Sequence, residues 1–520
     1  MPKKDLNNIM INNYKKISTE AKAAFISVFV FGIIAHLYMF TNKLPNYDDF
    51  VGINTYGATI RLGRWFLWIV GAIFQNLDFL YTMPWLNGLI MLLIVGICAV
   101  MMVDILDINT VLESILIGAL LIVFPTWTCT LFFMFSVYLY AMSLFLAVLA
   151  VWLVKNDNKW FALSIVCICF SMGIYQSYVT VTATLFVLIL IMQTFQANVT
   201  PLTILRKSIS YMGILLGGGA SYLICTKFFC WIKREPLSTY KGINGMQQFG
   251  FSKIVFGLRE TISNMCSLGI SNKLEMSYNL VLKFVFIVLI ILSLAMCIYW
   301  FFQLLKKSKW VAVLFAFLQL CFLICINGMF FIVTDVDDIY LLMLYAYVFL
   351  LIFPVALLRN LMKQTDVKEK ICVWLQWTIT ICLVGAIYSY VVYANGQYLS
   401  MDMSFSQAKS YYTVMLSQIK STQGYSDDCS IMFVGEEITD DSFYDNSVMD
   451  VFDVKGRTDT YLNIWSRKDM LRYYFGFAPE YIECTEENYS DSIKKMPCYP
   501  AEGSIQNMGK TIVVKLEDLH

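Results

Sequence analysis

The sequence predicts an all-α polytopic membrane protein of about eleven transmembrane helices, followed by a small extracytoplasmic α/β domain at the C-terminal end. Three observations carry this expectation. The 520-residue chain is 58% hydrophobic and only 14% charged, where soluble chains carry about 25% charge, and its mean hydropathy is +0.64. Apolar runs long enough to cross a bilayer, which takes about 20 residues, recur from residue 22 to residue 393. Beyond Tyr398 the chain turns polar and shows strand-like stretches, "SIMFVGE" at 430–436 and "KTIVVKLED" at 510–518, with a turn-rich "CYPAEGS" between them.

The expected spans are 22–40, 85–104, 110–125, 133–154, 160–173, 175–193, 208–229, 280–304, 310–333, 339–358 and 372–393. The polar tail 1–21 before the first run is too long for a secretory leader, and no small-x-small cleavage site follows, so that run reads as a retained span. Lysine and arginine collect in short loops on the cytoplasmic side. Lys3, Lys4, Lys15, Lys16 and Lys22, Lys155 with Lys159, Arg206 with Lys207, Lys306 to Lys309, and Arg359 with Lys363, Lys368 and Lys370 all fall on one side under this count. The N-terminus is then cytoplasmic. A multispan domain over 22–397 carries outer loops at 41–84 and 230–279, and residues 398–520 form the extracytoplasmic domain. If either half of the 160–193 hairpin, joined through "GIY", is not a span, the side of everything downstream inverts.

Several function classes are excluded by composition. Thirty-eight basic and 37 acidic residues leave a formal charge of +1, so there is no basic field for nucleic acid. The 15 cysteines are scattered, many inside apolar runs where a thiol acts as a small hydrophobe. With two histidines, His36 and His520, neither a zinc site nor a nucleophilic triad is expected. No repeat of fixed period is present.

The chemistry-bearing residues gather in the first outer loop. Asp48 and Asp49 follow the first span, and Arg61, Arg64 and Trp65 come about a dozen residues later. Residues 52–74 are too interrupted for a span and are expected along the interface, anchored by Trp65 and Trp68. A carboxylate there is placed to take a proton from a hydroxyl, and an arginine to grip a phosphate through two parallel hydrogen bonds. Equally, the aspartates end a helix and the arginines meet lipid phosphates. A second acidic cluster, Asp335, Asp337 and Asp338 in "FIVTDVDDIYLL", either orients sugar hydroxyls or holds a divalent cation through oxygen ligands, or caps the next helix. Tyr175 and Gln176 combine an apolar ring and a polar amide near the outer end of the hairpin, suited to a sugar or to a membrane belt. In the loop 230–279, Lys233, Arg234, Lys241, Lys253 and Arg259 alternate with Phe249, Phe251 and Phe256, as guides for a lipid-linked anion or as snorkelling residues. The "GGGA" at 217–220 reads as a helix contact, and one disulfide is open to the tail cysteines Cys429, Cys484 and Cys498.

The "N-x-DD" of Asn46 to Asp49 and the "GRW" of Gly63 to Trp65 resemble the bacterial membrane glucosyltransferases of the O-antigen serotype-conversion (Gtr) type. So do "FSVYLYAMSLFLAVLAVWL" at 135–153, "GIYQSYVTVTATLFVLIL" at 173–190 and "MPCYPAEGSIQNMGKTIVVKL" at 496–516. The resemblance implies a GT-C-like glycosyltransferase in a bacterial cell membrane. It would move a hexose, glucose by the family's example, from a polyprenyl-phosphate carrier to a glycan acceptor such as O-antigen, teichoic acid or capsule. It further implies an inverting single displacement with Asp48 or Asp49 as catalytic base, and favours a glycan or carrier role for Tyr175 and Gln176. Arg61 and Arg64 are the nearest cations for the donor phosphate, and Trp65, Asp335, Asp337 and Asp338 are substrate candidates from residue type and place, the aspartate cluster not being carried over from the family. No cofactor is expected; the one place for a divalent cation is the Asp335–Asp338 cluster. Two other classes stand beside it. A transporter or flippase of a lipid-linked glycan would carry ionisable residues at mid-span, whereas the acidic residues here cluster at one face. A membrane-anchored sensor would use eleven spans only to hold its outer tail.

Overall fold

A backbone in hydrocarbon satisfies its own polar groups only as a helix or a closed barrel, and the apolar runs of this chain are helices throughout. The computed structural model describes residues 17–45, 59–76, 82–238, 250–333, 339–363, 368–436, 462, 464 and 467–518. The chain divides into two units, residues 1–42 with 56–395, and residues 43–55 with 396–520.

The helices of the first unit are α1 (Thr19–Thr41), α2 (Trp65–Asn76), α3 (Pro84–Ile105), α4 (Val111–Val123), α5 (Pro125–Leu131), α6 (Val137–Val154), α7 (Phe161–Ile174), α8 (Val179–Gln193), α9 (Pro201–Lys233), α10 (Phe251–Ser267), α11 (Leu280–Lys307), α12 (Lys309–Ile326), α13 (Met329–Ile332) and α14 (Val348–Met362). The first part of α15 (Glu369–Ser421) completes it. Among the described residues nine helices are long and apolar enough to cross a membrane, ten when α4 and α5, bent by 40° at Pro125, are taken together. Each of the eleven expected runs contains a helix, but the run at 160–173 forms only the short apolar segment Asn158–Ile174.

Small residues set how closely these helices approach, since apolar faces in lipid gain most from close contact. Helix α1 packs on α3 and α4, and a Cβ on Gly118 would stand 2.5 Å from the Ala24 carbonyl. The 217–220 stretch is a helix contact as well: a Cβ on Gly218 would lie 2.5 Å from the Ile168 side chain of α7. Hydroxyls tie the next helices together. Ser143 Oγ donates to Ser171 O at 2.8 Å, Ser164 Oγ to Ala150 O at 2.8 Å and Thr182 Oγ1 to Ala147 O at 3.0 Å. His36 of α1, fully buried, meets the Ile122 carbonyl at 3.0 Å and is a structural residue. Helix α14 is the enclosed centre, with 89% of its apolar window buried; for α9 and α11 the share is 28%, so most of their surface faces outward.

Charges collect at one end of the bundle. Arg359 of α14 donates to Glu113 Oε2 of α4 at 2.7 Å and also to Asn109; its side chain is 8% exposed and that of Glu113 6%. Beside them Lys155 pairs with Asp107 at 2.7 Å, Trp152 Nε1 donates to Asp104 Oδ2 at 2.8 Å, and Lys207 Nζ donates to the Lys155 carbonyl at 2.9 Å. Of the lysines and arginines that the sequence assigns to one side, Lys155, Lys207 and Arg359 thus meet at one end of the bundle.

Helix α10, within residues 230–279, inverts the usual amphipathic pattern. Its small and polar face, Gly257, Thr261 and Asn264, is buried, and its apolar face, Phe251, Ile254, Val255, Leu258 and Ile262, is exposed. Asn264 Nδ2 donates to Asn327 Oδ1 at 3.2 Å, and Tyr347 OH donates to the same oxygen. An outward apolar face beside a bundle of this kind suits the lipid interface.

In the second unit the end of α15, with β1 (Ser430–Val434), α16 (Arg467–Phe475), β2 (Tyr481–Ile482), α17 (Asp491–Lys494), β3 (Ile505–Met508) and β4 (Thr511–Lys515), makes a small α/β fold. The strand order is β2-β1-β4-β3; β1 is parallel to both neighbours, and β3–β4 is an antiparallel hairpin. Ile431, Val434, Ile512 and Val514 are buried on the sheet, and Tyr411 of α15 meets Tyr499 edge-on at 5.4 Å. Lys43 Nζ lies 5.5 Å from the Tyr474 ring. Lys515, 1% exposed, donates to the Lys494 and Met496 carbonyls at 2.8 and 2.7 Å and pairs with Asp518 at 2.6 Å. Burial pulls its pKa down, but the hydrogen bond and charge of Asp518 outweigh that, and the net shift is upward. Cys429, Cys484 and Cys498 are unpaired thiols.

Two outcomes follow from these buried charges. Arg359→Ala, which strands Glu113, should lose about 3–5 kcal/mol, whereas Glu113→Leu with Arg359→Met should lose much less; thermal unfolding in detergent compares them, and equal losses would refute the ion-pair account. Because Lys515 has a raised native pKa, its stabilisation is complete below the unfolded value of 10.5 and fades as pH climbs through the higher native one. Lys515→Met should cost about 1–3 kcal/mol by leaving buried carbonyls without a donor and should remove that alkaline loss, read from amide exchange of β4 against pH.

Candidate functional site

The end of the bundle away from Arg359 is organised by a backbone turn. Thr59 O accepts from Leu62 N at 3.2 Å and Arg64 N at 2.8 Å, and Ile60 O accepts from Gly63 N at 2.9 Å. Arg61 O accepts from Ser238 N at 2.9 Å, and Leu62 O from Gln176 Nε2 at 2.8 Å. Every carbonyl from Thr59 to Leu62 therefore has a donor, and two of those donors come from distant parts of the chain. Gly63 has φ +73°, a conformation that costs glycine little and other residues more.

The turn ends where α2 begins, and its first residue, Trp65, plugs the bundle. Trp65 is 3% exposed, stacked on Phe229 of α9 at 5.2 Å and edge-on to Phe170 of α7 at 5.8 Å. The sequence suggested an interfacial anchor, and the structure instead buries this ring. The reason lies in its neighbours: α7 offers Gly173, whose missing Cβ leaves room for the indole at about 2.9 Å, and α9 offers a flat ring. The Trp65 indole N–H has no hydrogen-bond partner among the described residues. Trp68, one helical turn on, is partly exposed and has Lys233 Nζ 4.5 Å from its ring.

The two arginines of the turn part company. Arg61 is exposed. Arg64 turns inward, where Nη1 donates to the Tyr140 hydroxyl at 3.1 Å and the guanidinium carbon lies 5.2 Å from the Tyr175 ring centre. Tyr140 and Tyr175 are buried, with ring centres 4.8 Å apart. A guanidinium carries five N–H donors in a planar fork, and an aromatic face steadies its plane. Such an arrangement holds a cation at a fixed place close to the bundle end, where a phosphate can be gripped with little reorganisation.

Sequence reasoning named Arg61, Arg64, Trp65, Tyr175 and Gln176, and the structure brings them together at this turn. Asp48, Asp49, Asp335, Asp337 and Asp338 lie outside the described residues. Among the described residues, no group of three or more histidine, cysteine or acidic side chains could hold a metal ion. Two members of the cluster escaped the sequence reading. Tyr140 lies inside a stretch noted for its resemblance but had no assigned role, and Tyr222, which accepts from Gln176 Nε2 at 3.0 Å, sits in the middle of an apolar helix. Nothing local marks a tyrosine in such a run as more than a belt or core residue.

The family model described as glucosyl transferase GtrII matches residues 37–355. That range includes the turn, α2, and all of Tyr140, Tyr175, Gln176 and Tyr222. No curated protein and no solved structure matches the chain.

An Arg64 held in this way should respond to a phosphate in lipid. A long-chain isoprenoid phosphate at about 100 times its Kd adds about 2.7 kcal/mol to the stability of a protein that binds it, and the midpoint of thermal unfolding should rise accordingly for the wild type. Arg64→Gln should lose most of that rise, and Arg64→Lys should keep part of it. Equal shifts in all three proteins would remove Arg64 as an anion contact.

Proposed function

Since the chain belongs to the GtrII glucosyl transferase family, we propose that it is a membrane glycosyltransferase that takes glucose from a polyprenyl-phosphate carrier and adds it to a cell-surface glycan at the extracytoplasmic face. The observation that carries this reading is the fixed cation of the 59–64 turn, with Arg64 between the Tyr140 hydroxyl and the Tyr175 ring. The opposite end, with Lys155, Lys207 and Arg359, is the cytoplasmic one by the charge rule. That orientation puts the turn on the outer side, with the N-terminus inside and the C-terminal unit outside.

The reaction proposed is a single displacement with inversion. Asp48 or Asp49 takes the proton of an acceptor hydroxyl, and that oxygen forms a bond to the anomeric carbon of the donor. The bond from that carbon to the phosphate oxygen breaks, and the electron pair leaves with the polyprenyl phosphate. The developing charge is met by Arg64 through charge-assisted hydrogen bonds, and Arg61, exposed on the same turn, is the second cation proposed for the phosphate. A phosphate needs no strong acid to leave, so the absence of a histidine from the cluster is no obstacle. Tyr175, Asp335, Asp337 and Asp338 are assigned to the sugar or its acceptor, and Trp65 to the wall behind them. No step requires a cofactor.

Purified protein in nanodiscs, given polyprenyl-phosphate-glucose and an acceptor glycan, tests this. A positioned base contributes about 10²–10⁴ in rate, so either Asp48→Asn or Asp49→Asn should lose activity by that order while keeping its thermal midpoint. Full activity in both variants would move the base elsewhere. No transfer by the wild type from any polyprenyl-phosphate hexose, with export of a lipid-linked glycan instead, would replace the transferase with the flippase.

A further inference from the structure

We infer that Gln176 and Tyr222 are positioning residues, which clamp the Thr59–Arg64 turn against Gly63 and so decide where the Arg64 guanidinium stands. The functional half of this inference rests on the proposed role of Arg64 at the donor phosphate.

A glutamine amide has two N–H donors, and both of those on Gln176 are committed inside the protein. Nε2 donates to the Leu62 carbonyl at 2.8 Å and to the Tyr222 hydroxyl at 3.0 Å. Leu62 is two residues before Arg64, so the first bond fixes the backbone that launches the arginine. The second bond fixes the glutamine, because Tyr222 is buried on α9 with Trp65 and Cys169 around it. Gly63 closes the device from the other side. A Cβ there would stand 2.5 Å from the Tyr222 oxygen and 3.1 Å from Gln176 Nε2, so the amide and hydroxyl approach the turn only because residue 63 has no side chain.

Two consecutive residues thus act on one arginine from different directions. Tyr175 offers its ring to the guanidinium, and Gln176 holds the carbonyl of the turn that carries it. Arg61 O, held by Ser238 N, and Ile60 O, 3.9 Å from Cys230 Sγ, tie the same turn to the far end of α9 and the residues after it. The turn is therefore held from the 175–178 segment and from the α9 side, while the head of Arg64 is held from α6. Losing the central strut frees the backbone without touching the guanidinium contacts themselves. This reading moves Gln176 from the substrate contacts, where the sequence put it, to the support of Arg64.

Gln176→Leu, of similar volume and without donors, is the direct test, and Tyr222→Phe is a milder second. Hydrogen exchange reads the turn itself: the amides of Leu62, Gly63 and Arg64 should exchange about tenfold faster in Gln176→Leu while the amides of α6 keep their wild-type protection. Kinetics read the consequence. A misplaced contact of about 1 Å costs on the order of 10²-fold, so kcat/KM for polyprenyl-phosphate-glucose should fall by about 10–100-fold. In an Arg64→Ala background the same substitution should then add no more than about twofold, because residues that act through one another do not add. Unchanged exchange at Leu62–Arg64, or losses that simply multiply with those of Arg64→Ala, would overturn the inference. If α6 also loses protection in Gln176→Leu, Tyr222→Phe decides by the same criteria. Absence of glucose transfer by the wild type would refute the transferase reading, and the exchange comparison would still decide whether Gln176 holds the turn.

Discussion

A polar group in hydrocarbon has only the protein to bond with, and the arrangement of this chain follows from that constraint. Serine, threonine and histidine side chains inside the bundle meet backbone carbonyls of neighbouring helices, as Ser143, Thr182 and His36 do. Charged groups are driven to the ends. At one end Arg359 is joined to Glu113 and Asn109, and Lys155 to Asp107; at the other, Arg64 is joined to Tyr140 and lies against Tyr175. The two ends solve the same problem differently. One joins its cations to carboxylates, and at the other a tyrosine hydroxyl and a tyrosine ring are among the contacts of the guanidinium.

Arg64 is held at a fixed place by its contacts with Tyr140 and Tyr175. The geometry also comes ready-made: the turn that carries Arg64 has a donor for each carbonyl from Thr59 to Leu62, and Trp65 pins the start of α2 between α7 and α9. Fixed dipoles and charges of this kind need no rearrangement when charge develops on a substrate.

The C-terminal unit obeys the rules of a small water-soluble fold. Its parallel strands bury Ile431, Val434, Ile512 and Val514, and the deeply buried Lys515 is bonded by two carbonyls and a carboxylate. The strand-like stretches at 430–436 and 510–518 were readable beforehand because each is a compact run of β-branched and apolar residues. The pairing of β1 with both β2 and β4 was not, since β2 is two residues long and leaves no periodic trace.

The sequence by itself determined where the apolar helices lie, but not all of their ends: α9 begins at Pro201 and α15 runs on to Ser421, well beyond the expected spans. Hydropathy is a local property, a bilayer demands a fixed length of it, and lysine and arginine mark where it stops; so all eleven apolar runs carry helices, and Lys155, Lys207 and Arg359 share an end. It also singled out Arg61, Arg64, Tyr175 and Gln176 by residue type and place. Only the tertiary structure decided what these residues do to each other. Gln176 meets Leu62 across 114 positions and Arg359 meets Glu113 across 246, and no periodicity connects such pairs. Lipid-facing and helix-facing surfaces are equally apolar, so the choice between them falls to shape: a missing Cβ at Gly63, Gly118, Gly173 or Gly218 admits one particular neighbour, and that close approach, invisible in composition, sets the register of the bundle and the position of Arg64.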